Sequence, residues 1–121
     1  MMQDLVQRIV SNVGVTEQQA EKSIEIILGF LKQAGPRDKV NELFEKLPGS
    51  VEAAGEDAGG GMFGGGMMAA MGAMGQMQAA GLGMGEVQSV TREVVDYARE
   101  HAGDDLVNEI IRSIPGISQF V

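Results

Sequence analysis

The 121-residue chain has no cysteine, which excludes a disulfide framework, a thiol nucleophile and a zinc–thiolate centre. It has one histidine, His101, and none of its serines (Ser11, Ser23, Ser50, Ser89, Ser113, Ser118) stands in a pattern that supplies a base. Aromatics make up only 4% of residues, so the core must be built from Ile, Leu, Val and Met. A chain of this length hides roughly two thirds of its unfolded surface, enough for one domain or two small units sharing a core. Positive charge is also scarce. Nine Lys/Arg face seventeen Asp/Glu, for a net charge of −8, and the nine are scattered from Arg8 to Arg112. Nucleic acid and anionic lipid both require clustered cations, so neither is an expected partner. The N-terminal "MMQDLVQRIV" lacks the basic start and long apolar run of a secretory leader, and the expectation is an unprocessed, cytoplasmic protein.

What the chain has in quantity is helical periodicity. Leu5, Val6, Ile9, Val10 and Val13 recur at helical spacing, and Gly14 stops that run. "TEQQ" opens a second helix, with Thr16 as N-cap and Gln19 at the third position in a capping-box arrangement. Ala20, Ile24, Ile27, Leu31 and Ala34 form its buried stripe, widened by Ile26, Leu28 and Phe30. Gly35 ends it, and Pro36 suits the first position of a third helix, whose inward residues are Val40, Leu43, Phe44 and Leu47. Pro48-Gly49 then stops the run. After a glycine-rich stretch, Met67–Ala80 has weak helical character, since Gly72 and Gly75 each cost about 1 kcal/mol relative to Ala. Glu86–Ala102 reads as a helix with Val87, Val90, Val94, Val95 and Ala98 inward and His101 in its last turn, where the helix dipole favours a cation. Gly103 reads as its C-cap. Asp104 or Asp105 is the expected cap of a final helix burying Leu106, Val107, Ile110, Ile111 and Ile114, before Pro115-Gly116.

These segments repeat. "VNELFEKLPG" at 40–49 matches "VNEIIRSIPG" at 107–116 at an offset of 67, "AG" at 34–35 matches 102–103 at 68, and "VGVTE" at 13–17 matches "LGMGE" at 82–86 at 69. The expected fold class is all-α: about six helices as two pseudo-repeated three-helix units, residues 1–49 and 67–121, with a Gly-rich linker at 50–66. One unit of roughly 45 residues hides its apolar stripe poorly. Two units facing each other solve that.

Methionine is abundant, nine in all, and Met68, Met71, Met74 and Met77 recur at every third position beside Gly72 and Gly75. Three chemistries fit such a stretch. Methionine and small residues let helices approach closely, which makes Met68, Met71, Gly72, Met74, Gly75 and Met77 candidates for a packing or self-association seam. Thioethers also prefer copper(I) or silver(I), which makes Met68, Met71, Met74 and Met77 speculative metal ligands. A membrane span is disfavoured: residues 58–85 carry no charge over 28 positions, but eleven of them are glycine, and insertion needs strongly apolar side chains. The short "GGG" runs are no phosphate loop, because no Lys-Ser/Thr follows.

Val13–Thr16, Gln19-Ala20 and Leu47–Gly49, echoed by Leu82–Gly85 and Ile114–Gly116, resemble the small bacterial helical proteins grouped as VcgC/VcgE-like. That resemblance implies a small all-helical fold with no established activity or catalytic residue. The functional expectation is therefore a non-catalytic module without cofactor, whose partner is another copy of itself or another protein. The second reading is a methionine-based copper(I)/silver(I) binder.

Overall fold

The structure is a computed structural model, and it describes residues 3–47 and 67–114. Six helices fill these residues, with no strand among them: α1 Gln3–Val13, α2 Glu17–Ala34, α3 Arg37–Lys46, α4 Met67–Ala79, α5 Met84–Ala102 and α6 Asp104–Ser113. The linker reading of 50–66, the Pro48-Gly49 and Pro115-Gly116 stops, and the side chains of Ala34, Met68 and Met71 lie outside the described residues.

Local chemistry sets the helix ends. The Thr16 hydroxyl accepts from Gln19 N–H, and the Gln19 carboxamide accepts from Thr16 N–H, both at 3.1 Å, so two of the orphan donors at the start of α2 are satisfied. The start of α5 has only the return half of this device. Gly83 N–H donates to Glu86 Oε1 at 2.8 Å, and Gly83 has no side chain to reciprocate. Pro36 is the N-cap of α3 rather than its first helical residue. Its ψ of 123° is extended, and its carbonyl accepts from Val40 N–H at 2.9 Å. Neither Asp104 nor Asp105 caps α6, because Gly103 alone separates α5 from α6 and ends the one helix while starting the other. The two aspartates instead occupy the first turn, where the helix dipole favours them.

The expected apolar stripes are buried. Leu5, Ile9, Ala20, Leu28 and Val90 are fully closed off, and Val40, Leu43, Val107 and Ile110 are nearly so. Leu106 and Ile111, expected inside, are half-buried and pack on the core's edge. Two helices form the centre: α2, which packs against α1, α3, α4 and α5, and α5, which packs against α1, α2, α3, α4 and α6. α3 also packs against α6. Residues 3–47 and 67–114 thus cover one another: α1 lies on α5, α4 on α2, and α3 on α6.

Like features recur in the two halves at one constant offset, the same as that between "VNELFEKLPG" and "VNEIIRSIPG". Gly14 and Gly81 both hold positive φ, at 90° and 99°, a conformation that L side chains rarely adopt. Thr16 and Gly83 are N-caps, and Arg37–Lys46 and Asp104–Ser113 are helices of equal length in the same register. Buried positions recur the same way, as in Val15 and Leu82, Leu28 and Val95, Phe30 and Tyr97, or Leu47 and Ile114. In this register Gly14 stands at the offset of Gly81, whereas the match of "VGVTE" to "LGMGE" sets it against Gly83. α2 and α5 differ by one residue in length, 18 against 19.

Candidate functional site

The methionine helix α4 lies against α2 and α5, and its residues do not share one face. Successive positions three apart turn back by about 60° around a helix. Met77 is 2% exposed and belongs to the core, whereas Met74 is half-buried. Gly72 and Gly75 are exposed, and a Cβ built on either would meet nothing within 4 Å. Ala79 is exposed as well. Residues 72, 75 and 79 share one helix face, so this exposed face of α4 is small and uncharged, with exposed Gln78 to one side of it, and Met77 is turned into the core.

Just beyond α4 stands Met84, 52% exposed and the one large exposed hydrophobic side chain among the described residues. Its sulfur accepts from Gln78 Nε2 at 3.6 Å. Met84 was not among the methionines singled out by their spacing, because it lies outside the three-residue repeat. It stands at the start of α5, joined to α4 by the hydrogen bond from Gln78.

An open cleft of about 490 Å³ lies where the start of α2 meets the end of α4, lined by Thr16, Gln18, Gln19, Lys22 and Ala80. Thr16, Gln19, Lys22 and Ala80 are engaged there. The Gln19 carboxamide accepts from Thr16 and donates to the Ala80 carbonyl at 3.3 Å, and Lys22 pairs with Glu25 at 3.6 Å. No His, Asp or Glu lines it to act as a proton-transfer group.

Charged groups concentrate instead where α1 meets α5 and α3 meets α6. Arg8 reaches Glu93 at 3.4 Å and pairs closely with Glu100, Asn12 donates to Glu93 at 3.1 Å, and Lys39 pairs with Glu109. The hydrogen bond from Arg8 holds the Glu100 carboxyl below the usual carboxylate range, and Lys39 does the same to Glu109. The same bonds hold Arg8 and Lys39 charged to higher pH than usual. His101, expected only as a helix-end cation, stands edge-on to Tyr97, with ring centroids 4.2 Å apart. Burial pushes the Tyr97 hydroxyl up. The hydroxyls of buried Ser23 and Thr91 turn back onto their own helices, donating to the Gln19 and Val87 carbonyls.

The two lowered carboxyls give a pH dependence of defined sign. The unfolded chain binds protons at these glutamates more readily than the folded chain does. Their contribution is therefore present above the ordinary glutamate range, near 4.3, and is lost as pH falls through the lower folded values. The urea midpoint of Arg8→Gln/Lys39→Gln is expected to fall less than that of the parent between pH 6 and pH 3. Urea titrations of both proteins at the two pH values check this, and equal falls contradict it.

No family model matches the chain, and no curated protein or solved structure is significantly similar to it. Among the described residues, no group of three or more His, Asp or Glu is placed to hold a metal ion, and no helix is long and apolar enough to cross a membrane.

Proposed function

We propose that this protein is a non-catalytic interaction module, two copies of one three-helix unit closed onto each other, that associates with a second copy of itself through the outer face of α4. The observation that carries this reading is the exposure of Gly72, Gly75 and Ala79 on one side of α4, with exposed Met84 at the start of the next helix. On a chain of net charge −8, a second copy meets like charge on average wherever it approaches. The α4 face is where that repulsion is least, because residues 58–85 carry no charge. Glycine at 72 and 75 also lets two helix backbones come close. The recurrence of positive-φ glycines, caps and buried positions in one register supports the two-unit part of the reading.

The alternative of soft-metal binding has less geometric support. Of the four spaced thioethers, Met77 is closed in the core and would reach an ion only after local opening.

The test is light scattering over a concentration series on the parent and on Gly72→Lys/Gly75→Lys. Open space surrounds both positions, and replacing each glycine in a helix is favourable by up to about 1 kcal/mol, so the variant keeps its fold while charging the face. The parent is expected to associate with rising concentration, and the variant to stay monomeric to at least about tenfold higher concentration, a shift worth about 1.4 kcal/mol. A parent that is monomeric throughout, or a variant that associates like the parent, overturns the reading.

A further inference from the structure

The faces that the two halves turn toward each other carry charge in one direction only. Arg8 and Lys39, from the first half, pair with Glu93, Glu100 and Glu109, from the second. Among the described residues, every ion pair between the halves takes its cation from residues 3–47 and its carboxylate from 67–114. The sequence is skewed to match: residues 3–47 hold six Lys/Arg and seven Asp/Glu, whereas 67–114 hold three and seven. Two second halves facing each other would bring excess negative charge together. A first half facing a second half pairs unlike charges. Because caps and buried positions recur in one register, the halves also match in shape, and charge is what distinguishes right pairing from wrong.

Nothing in that code requires both halves to belong to one molecule. The connection between them is residues 48–66, and each contact across the face is non-covalent. We propose that this face accepts the complementary half of a second copy of the chain, so that two molecules exchange halves, with Arg8 and Lys39 against Glu93, Glu100 and Glu109 selecting the partner. The proposal does not rest on the α4 face. A short connection keeps its two ends at an effective concentration on the order of millimolar, so the closed single chain prevails in dilute solution. A half of roughly 45 residues keeps little core alone. Exchange therefore proceeds through unfolding, and exchanged dimers persist after dilution for as long as unfolding is slow.

A charge-swap experiment reads this directly. Arg8→Glu/Lys39→Glu and Glu93→Lys/Glu100→Lys/Glu109→Lys each place like charges across their own face. Exchange between the two variants restores opposite charges at both faces of the dimer. Each reversal shifts the net charge by two, so from −8 the variants stand at −12 and −2. Both are negative, and general attraction between them cannot mimic the result. The two are made in the Gly72→Lys/Gly75→Lys background, which silences association through α4 and adds the same two positive charges to each, and are refolded together from urea and separately. With those lysines the variants stand at −10 and 0, and still no attraction between unlike net charges arises. The expected result is a 1:1 dimer in the mixture at a fraction at least about tenfold above either variant alone. If a variant does not fold alone, recovery of its helical circular dichroism only in the mixture is the same positive result. A mixture whose dimer fraction and helicity equal the mean of the separate samples overturns the proposal. Association of the parent through α4 would still stand in that case.

Discussion

Leu28→Ala lowers the free energy of unfolding by about 2–5 kcal/mol, the range for truncating a closed-off leucine. Leu28 has no exposed surface and lies mid-way along α2, the helix that packs against α1, α3, α4 and α5. The lost methyl and methylene groups forfeit their transfer energy, and four neighbours cannot all move in to close the cavity. A small domain has a total stability of about 5–15 kcal/mol, so the variant sits near the edge of folding. Urea denaturation followed by circular dichroism measures the shift. A loss under about 1 kcal/mol, well below that range, means that the Leu28 side chain is not held in a closed core between α2 and its neighbours.

Gly35→Ala is the second large effect, and its cause is the opposite one. Gly35 has an ordinary negative φ of −83°, so backbone conformation does not demand glycine there. Space does. A Cβ would stand 2.6 Å from Val40 Cγ2 and 2.8 Å from the Leu31 carbonyl oxygen, with Ile114 Cδ1 at 3.4 Å. The valine methyl can shift, but the carbonyl belongs to the last turn of α2 and accepts the Gly35 N–H at 2.9 Å. Relief requires the α2–α3 corner to move away from Ile114 of the other half. Overpacking of this kind costs about 1–3 kcal/mol. The same measurement on Gly35→Ala checks it, and a variant as stable as the parent would show that the corner opens freely.

These two positions also show what the sequence could and could not reveal. The stripe containing Leu28 is written in the spacing of apolar residues, and every helix but α4 follows from such spacing together with caps such as Thr16 and Gln19. Gly35 reads in sequence as a helix stop, which it is. Its close approach to Val40 and Leu31 depends on how α3 folds back, and that is tertiary information. Single-residue connections defeat cap reading in a similar way. Asp104 and Asp105 are good N-cap residue types, yet with only Gly103 between α5 and α6 there is no free position for them to occupy. The similarity of the two halves is plainest in α3 and α6, where residue types match. Around Gly14 the residue types favour Gly83 as its equivalent, whereas φ favours Gly81.

The candidate surface was half legible. The absence of charge over residues 58–85 marks α4 from sequence alone. Which side of α4 faces outward does not follow from a three-residue repeat, since that spacing precesses around the helix. Among the described residues Gly72, Gly75 and Ala79 lie on one exposed face, and Met77 turns into the core. The pairing of Arg8 with Glu93 and Glu100 joins positions far apart in the chain, beyond any local pattern.

Native-state hydrogen exchange at the backbone amides of Ile24 and Val90 reports on both halves in a single experiment. If neither bundle of three helices holds its interior without the other, the two amides open with the same free energy and respond equally to Leu28→Ala. Protection at Val90 that survives while Ile24 exchanges freely would mean that the second half stands alone, and mutual covering as the basis of this fold would be wrong.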